Sequence, residues 1–352
     1  MVYMASLSTY AEMDLAEMQW IGSGDEVKIA AFMKQSKGAN RRIVGRAGED
    51  QSREDLGDID TSKPETLLDF IGWAAKTAPA EKYALVLWNH EDAPGADADR
   101  DGTAQCLATV ELGLLLGKAV EVLGQPIDLL GLDGWLLYSL EVGYQVRNQA
   151  NVIVGSESPE PGMGWPYDRI LEDLSAAPSI DAPGLGKLIV DRYAEFYQIK
   201  QAQWPVTQCA TLSEAVERFA KIIDGLAEAL KKVMSDNVAA AKILGAQAES
   251  ATFPGALVDL NGFCNKLVAD GVNPSVTDAA QAVMGSLKPG EFVLAEGHLG
   301  PQVEGCAGVT AYLPPPGSTI SPNYKDLTFA QDHRWQDVLI AFNETGTATP
   351  AL

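Results

Sequence analysis

The chain has 352 residues, of which 46% are hydrophobic and 21% are charged, and its formal net charge is −22. This length fits two domains or one large domain, and the composition is ordinary for a globular protein. The negative charge argues against nucleic acid and anionic membranes as partners, because both require a basic surface. An acidic surface can attract a basic substrate or metal ions, although simple solvation is the other explanation for most of these carboxylates.

The cysteines and the apolar segments bear on the compartment. The four cysteines are far apart and include no CxxC pair, which favours buried free thiols and a reducing environment: Cys106, Cys209, Cys264 and Cys306. No apolar run reaches membrane-spanning length, and residues 1–5 carry no basic-then-apolar signal segment. We therefore expect a cytoplasmic protein; an exported protein trimmed at its N-terminus is the alternative.

In the first half of the chain, apolar strands alternate with helices. Strands are predicted at 1–5, 27–33, 83–90, 127–132 and 152–155, and a short edge hairpin at 41–44. Helices are predicted at 7–21, from Pro64 onward, and at 110–123, 136–148, 167–174 and 184–197, with a charged loop at 48–62. Strand–helix–strand spacing of this kind predicts crossover units and a mostly parallel sheet flanked by helices, an α/β fold.

The second half has a different pattern. A capping box at 211–214 predicts the start of a helix that runs to Met234. Further helices are predicted at 237–249, 257–269, 279–287 and 327–342, and late strands that are expected to rejoin a sheet at 292–295 and 307–313. The pattern predicts an α/β domain over residues 1–200 and a mainly helical C-terminal region over residues 201–352.

Candidate site residues follow two of the buried strands. His90 ends the 83–90 strand, and Asp133 and Trp135 follow the 127–132 strand. The carboxyl ends of neighbouring parallel strands are where ligands and catalytic groups gather in such sheets. A His at one strand end and a nucleophile at the next would form a catalytic dyad. The second place holds an indole, which cannot attack a carbonyl.

A loop after His90 resembles half of a calcium site. Asp97, Asp99 and Asp101 alternate and are closed by Gly102, so hard oxygen ligands could converge on one ion. The bidentate Glu expected at the twelfth position is missing, because Ala108 stands there. A solvated acidic loop is the plainer alternative. No cofactor is required by the rest of the sequence.

Several motifs together resemble the clostripain family of cysteine peptidases, in the caspase and gingipain clan. The motifs run nearly end to end: residues 2–5, 14–18, 64–67, 83–90, 131–142, 155–167, 308–314 and 329–335. The resemblance implies a caspase-like sheet with a helical C-terminal addition, and a His/Cys dyad that cuts after basic residues, Arg above all.

The resemblance also assigns roles to individual residues. It places the catalytic His on His90 and the catalytic Cys on Trp135. It implies that Asp133 binds the basic side chain of the substrate, and that Ser156 and Glu157 line the cleft. The family has Gly after its His, whereas this chain has Glu91, which puts negative charge near the expected oxyanion.

Each of these residues also has a structural explanation. His90 could be a relic that hydrogen-bonds backbone, and Asp133 could cap the next helix. Trp135 could be a lid, a stacking platform or core, with core packing favoured. Cys106 could act as a substitute nucleophile only if its loop reached His90. His298 and His333 are expected to be structural.

Two main hypotheses follow. The first is a pseudo-peptidase that has lost its nucleophile. It keeps a cleft that binds Arg-containing peptides or proteins, or it regulates a partner. The second is an active Arg-specific peptidase with an unrecognised nucleophile, since covalent cleavage needs a thiolate or an activated hydroxyl. A structural relic without peptide binding is the third alternative.

Overall fold

The computed structural model describes residues 1–4, 9–35, 38–61, 63–89, 103–134, 138–200 and 205–348, with backbone only for 89, 103–107 and 346–348. Its strands are β1 (Val2–Met4), β2 (Ala30–Gln35), β3 (Gly38–Ile43), β4 (Ser52–Gly57), β5 (Ala84–Asn89), β6 (Ile127–Gly134), β7 (Ala150–Gly155), β8 (Val206–Leu212), β9 (Thr252–Phe253), β10 (Leu257–Asp259), β11 (Val293–Leu299) and β12 (Thr310–Tyr312).

Its helices are α1 (Thr9–Ile21), α2 (Pro64–Thr77), α3 (Thr103–Leu123), α4 (Leu140–Gln145), α5 (Tyr167–Ala176), α6 (Ala182–Ile199), α7 (Ser213–Val233), α8 (Asn237–Ala248), α9 (Leu260–Ala269), α10 (Pro274–Ser286), α11 (Thr328–Asp332) and α12 (Trp335–Ala348). Short 3₁₀ turns occupy Arg46–Gly48, Pro254–Ala256, Pro301–Val303 and Tyr324–Asp326. Within the described ranges, no helix combines the length and the apolar character needed to cross a membrane.

The main sheet has nine strands in the order β11-β8-β7-β6-β5-β1-β2-β3-β4. The five central strands from β7 to β2 are parallel, whereas β8, β11, β3 and β4 join by antiparallel pairing. β5, β6 and β7 are buried on both faces, which explains their continuous apolar sequences. The predicted mostly parallel α/β sheet flanked by helices is therefore confirmed.

Two hydrophobic cores cover the two faces of this sheet. One core contains residues of α1, α5 and α6, including Leu15, Ile170 and Ile189. The other contains residues of α2 to α4 and of the later helices α7, α9, α10 and α12. The C-terminal helices thus pack on the same face as α2 to α4. A second sheet, in the order β12-β10-β9, lies among them.

Four details of the predicted elements need correction. The predicted helix at 257–269 starts too early, because Leu257–Asp259 form β10 and α9 begins at Leu260. The capping box at 211–214 is wrong, because Thr211 lies on β8 and α7 begins at Ser213 without a side-chain cap. The predicted loop at 48–62 contains β4, whose exposed charged residues pair with β3 at the border of the sheet. Cys106 was expected in a loop, yet it lies in the first turn of α3.

Candidate functional site

The carboxyl edge of β5 and β6 is the place where the sequence puts the dyad. Trp88 pairs with Asp133 in the parallel register, and Asn89 pairs with Gly134. His90 and Trp135 follow these residues directly in the chain and lie outside the described residues, as do Asp97, Asp99 and Asp101. Their predicted roles therefore stay predictions.

Asp133 is described and lies at this edge. Its side chain points to the face covered by α1, α5 and α6, and the residue is only 1% exposed. The hydroxyl of Tyr167 donates to its Oδ2 at 2.6 Å, and the amide of Trp165 lies 3.4 Å from the same oxygen. The alternative role as a helix cap is wrong, because Ser139 caps α4 by accepting from the amide of Val142 at 3.2 Å.

Asp133 belongs to a group of buried carboxyls that we name the acidic cluster, consisting of Asp14, Asp133 and Glu160. Asp14 comes from α1, and its Oδ2 accepts a hydrogen bond from Nε1 of Trp88 at 2.6 Å. Glu160 follows β7, and its Oε1 accepts from Nε2 of Gln208 at 2.9 Å. Three distant parts of the chain thus bring carboxyls together beside the end of β6.

The electrostatics of the acidic cluster follow from burial and like charge. Burial, and next the charge of Asp133, raise the pKa of Asp14 to about 9. The same two causes raise the pKa of Glu160 well above its usual value. Glu17, at the border of the cluster, has its pKa raised to about 7 by burial and by Asp168. At neutral pH the cluster therefore holds protons that an incoming cation could replace.

Asp14 and Glu160 were not among the residues predicted from the sequence. Asp14 could have been found, because it lies on the buried stripe of α1 with Ala11, Leu15 and Met18, at helical spacing. A carboxyl on an apolar stripe is unusual and points to a paired or protonated group. Glu160 lies in a loop rich in Pro and Gly, and no pattern in the sequence indicates its burial.

Ser156 and Glu157 leave the end of β7, next to β6. Oγ of Ser156 donates to the carbonyl of Ser158 at 2.6 Å and lies 2.8 Å from Oγ1 of Thr207 on β8. Oε1 of Glu157 accepts from the amide of Gly308 at 3.2 Å, and Glu157 is fully buried. Both side chains contact the second half of the chain, and their predicted contact with a peptide stays a prediction.

The other described cysteines and histidines, which could act as nucleophiles or bases, are buried or lie beside a carboxylate. Cys209, Cys264 and Cys306 are free and buried, and burial raises the pKa of each thiol, so these three are protonated at neutral pH. Nδ1 of His298 lies 2.9 Å from Glu296, and Nδ1 of His333 lies 2.8 Å from Asp224. The side chain of Cys106 is outside the described residues.

A cavity of about 620 Å³ lies beside the amino ends of β1, β5 and β6, at the opposite end of the strands. Its walls include Ala84, Asp128 and Ile189 but not Asp133, Ser156 or Glu157. The candidate site residues that the structure describes therefore do not line this cavity.

Two comparisons with known sequences relate this chain to clostripain. The sequence profile of the clostripain family matches residues 2–341. Clostripain from Hathewaya histolytica is 29% identical over 133 residues, which cover 32% of this chain. The same match covers 24% of the length of that relative, so this chain spans less than two thirds of it.

Two solved structures have a similar fold. The first is an inactive zymogen of a C11 protease from Parabacteroides distasonis, with a TM-score of 0.66 and 19% identity, covering 94% of this chain and 96% of that chain. The second is a secreted C11 cysteine protease from Bacteroides thetaiotaomicron in complex with an irreversible peptide inhibitor. Its TM-score is 0.66 at 17% identity, with coverage of 96% and 98%. The expected caspase-like fold with its helical addition is thereby confirmed.

Proposed function

Since this chain belongs to the clostripain family, we propose that it is a pseudo-peptidase that binds Arg-containing peptides or proteins and does not cleave them. Trp135 in the place expected for the nucleophile supports the loss of catalysis, because an indole provides neither a thiolate nor an activated hydroxyl. Glu91 supports it further, since a carboxylate beside the oxyanion position opposes the charge that develops during peptide cleavage.

The observation that carries the binding half of the proposal is the position of Asp133 in the acidic cluster. A guanidinium and a carboxylate form a strong, charge-assisted pair when both are withdrawn from water. Asp14 and Glu160 add to the attraction, because their protons can leave when a positive charge arrives. The peptide side chain selected by this cluster is therefore arginine rather than a neutral residue.

The burial of Asp133 adds a condition to this proposal. The residue is 1% exposed, and Tyr167 already donates to Oδ2. An arginine side chain reaches the carboxylate only when neighbouring side chains move and Tyr167 shares or releases its bond. We therefore expect peptide binding to change the environment of Tyr167, which tyrosine fluorescence or NMR of labelled tyrosine would register.

The proposed partner is a peptide or a protein with an exposed arginine, in a compartment that keeps thiols reduced. The free thiols of Cys209, Cys264 and Cys306 support the latter point. A calcium ion held by Asp97, Asp99 and Asp101 is a separate proposal, which is tested by measuring calcium binding before and after exchange of these residues to Asn.

Calorimetry with a short Arg peptide tests the binding. We expect binding to the wild-type chain, and no binding of the citrulline analogue, which has nearly the same shape without the charge. Asp133→Asn should weaken binding by about 30-fold or more, as expected for about 2 kcal/mol from a buried charged pair. Asp128→Asn is the matched control, because Asp128 lies on the same strand at its amino end, where it accepts from the amide of Tyr83 at 2.8 Å.

A fluorogenic Arg peptide, with and without calcium, tests the absence of cleavage. We expect no turnover by the wild-type chain. Turnover that disappears in His90→Ala would contradict the pseudo-peptidase and favour the active alternative, with Cys106→Ala deciding whether that thiol is the nucleophile. If the wild-type chain neither cleaves nor binds the peptide, the structural relic is the correct description.

A further inference from the structure

A second group of ionisable side chains lies on the opposite side of β7 and β8 from the acidic cluster. It consists of Glu157 after β7, Asp259 at the end of β10, and Cys306 in the segment before β12. One potential donor atom from each of these residues lies within 4.8 Å of the other two. The three residues are 0%, 0% and 5% exposed. They come from positions about 50 to 150 residues apart in the chain, so the fold itself brings them together.

The backbone holds these donors in place. The amide of Ala307 donates to Oδ2 of Asp259 at 3.1 Å, and the amide of Gly262 donates to its Oδ1. The amide of Gly308 donates to Oε1 of Glu157 at 3.2 Å. Residues 306–308 therefore supply one donor atom and two amides that orient the other donors, which is the support that a metal ligand set needs.

One oxygen of the group has no hydrogen-bond partner among the described residues. Oε2 of Glu157 is fully buried, although its companion Oε1 is paired with Gly308. A buried carboxylate oxygen without a donor is costly, and the neighbouring groups able to share a proton with Glu157 are the carboxyl of Asp259 and the thiol of Cys306, whose protons a metal ion would replace. Burial and the charge of Asp259 accordingly raise the pKa of Glu157 well above its usual value.

We propose that Glu157, Asp259 and Cys306 bind a divalent transition-metal ion, with zinc as the best match. A thiolate beside two carboxylates disfavours calcium and magnesium, which take oxygen ligands alone, and suits borderline zinc. Donors around one tetrahedral zinc stand about 3.3–3.8 Å apart, given bonds of about 2.0–2.3 Å. The donor atoms now lie within 4.8 Å of one another, so binding of the ion would draw them closer together.

The charge balance supports a divalent ion. Two carboxylates and one thiolate carry three negative charges, and a divalent cation leaves a single one. Binding requires Cys306 to lose the proton that burial now holds on its sulfur, so each bound ion releases at least one proton. Three protein donors leave one coordination position for water.

The proposed ion has a structural role, and its ligands do not include Asp133, the residue proposed to bind arginine. It would join the end of β7 in the main sheet to β10 and to the segment before β12. These elements connect the two halves of the chain. A carboxyl pair that shares one proton without any metal is the competing explanation for the same geometry.

Cobalt(II) distinguishes the two explanations, because a Co²⁺–thiolate bond gives a near-ultraviolet charge-transfer absorption that oxygen ligands do not give. The full chain is treated with a chelator, dialysed and titrated with Co²⁺, and then with Zn²⁺ as competitor. We expect one equivalent of Co²⁺ to produce the band, Zn²⁺ to remove it, and Zn²⁺ to raise the melting temperature. Calorimetry in buffers of different ionisation enthalpy should show the release of a proton.

Matched variants complete the test. Cys306→Ser should abolish the band, and Glu157→Gln should weaken Co²⁺ binding at least tenfold, whereas Cys264→Ala should retain both. Cys264 is an equally buried free thiol in α9 that is not one of the three donors. The proposal is overturned if the folded wild-type chain gives no band, or if Cys306→Ser keeps it. Should Cys306→Ser fail to fold, Cys306→Ala decides the question, because it also removes the thiolate: loss of the band supports the proposal and retention overturns it.

Discussion

At the scale of the residue, burial determines the protonation of the acidic cluster. Asp14 keeps its proton in the folded chain up to a pH of about 9, whereas the unfolded chain loses it near the ordinary aspartate pKa of 3.8. Between these values the folded state binds one more proton than the unfolded state. The free energy of unfolding should therefore fall as pH rises through this interval, by at most about 1.4 kcal/mol per pH unit for this group.

Asp14→Asn tests this dependence. The amide oxygen can still accept the hydrogen bond of Trp88, while the group no longer titrates. We expect urea unfolding at pH 5, 7 and 9 to give a flatter profile than that of the wild-type chain, with the largest relative gain at pH 9. Asp58→Asn, whose side chain is 99% exposed, is the control and should leave the profile unchanged. Identical slopes in Asp14→Asn and the wild-type chain would contradict the assignment.

Gly308 provides a second prediction at this scale. Its φ is 76°, and a Cβ there would lie 2.4 Å from Cβ of Cys209 and 2.9 Å from its sulfur. Gly308→Ala therefore adds a steric clash to the backbone strain, and we expect a loss of about 2–4 kcal/mol in unfolding free energy. Gly305→Ala separates the two causes, because Gly305 has a φ of 84° with nothing within 4 Å of its Cβ position. That variant should lose only about 1 kcal/mol; equal losses in both variants would exclude the clash.

At the scale of the element, β8 is connected to the end of β7 by side-chain hydrogen bonds as well as by the backbone pairing of the two strands. The hydroxyl of Tyr138 lies 2.6 Å from Oγ1 of Thr211 on β8, and both residues are about 1% exposed. The amide of Tyr138 donates to the carbonyl of Ser156 at 2.7 Å, and its carbonyl accepts from Thr310 at 2.9 Å. Tyr138 thus connects β7, β8 and β12.

A double-mutant cycle measures this connection. Tyr138→Phe and Thr211→Val should each lose about 1–2 kcal/mol of stability, because each leaves a buried hydroxyl without its partner. The double variant should lose less than the sum of the two, since neither hydroxyl remains. Denaturant unfolding of the four proteins gives the coupling energy, and strict additivity would show that the two hydroxyls do not interact.

The elements that could be predicted from the sequence differ physically from those that could not. β5, β6 and β7 are parallel strands buried on both faces, so their sequences are continuous apolar runs. β8 was missed because three of its buried positions are polar: Thr207, Gln208 and Thr211, of which the two threonines bond to other buried hydroxyls. β4 was missed because an exposed border strand carries charged residues, which resemble those of a loop.

At the scale of the whole molecule, the two halves of the chain share one sheet and one core. β8 and β11 extend the sheet beyond β7, and α7, α9, α10 and α12 pack with α2 to α4. The predicted division at residue 200 therefore has a clear test, because a fragment of residues 1–200 would expose the ladder of β7 and half of a core.

We expect the 1–200 fragment to aggregate when produced alone and to become soluble when co-produced with residues 201–352. Gel filtration of the tagged fragments measures both outcomes, and the full chain should unfold in a single calorimetric transition. Cooperative unfolding of a soluble 1–200 fragment would show instead that residues 1–200 form an autonomous domain.

The candidate site could be predicted only in part, because some of its residues come together only in the whole folded molecule. Asp133 follows a strong strand pattern, and the parallel orientation of β5 and β6 agrees with the crossover spacing. The burial of Glu157 against Asp259 and Cys306 depends on how β10 and residues 306–308 dock onto the end of β7. No local pattern encodes a meeting of residues so far apart in the chain.

The border formed by β4 bears on how this protein behaves when it is concentrated. Arg53, Glu54 and Asp55 place charges of both signs along it, and Arg41 on β3 bonds to Glu54 at 2.8 Å. A neighbouring molecule that added its own strand here would have to remove water from these charged side chains. Few strands could place an opposite charge beside each of the three. The border thus discourages fibre-like stacking of copies, and a crowded solution of the protein should stay dispersed as long as those three charges are kept.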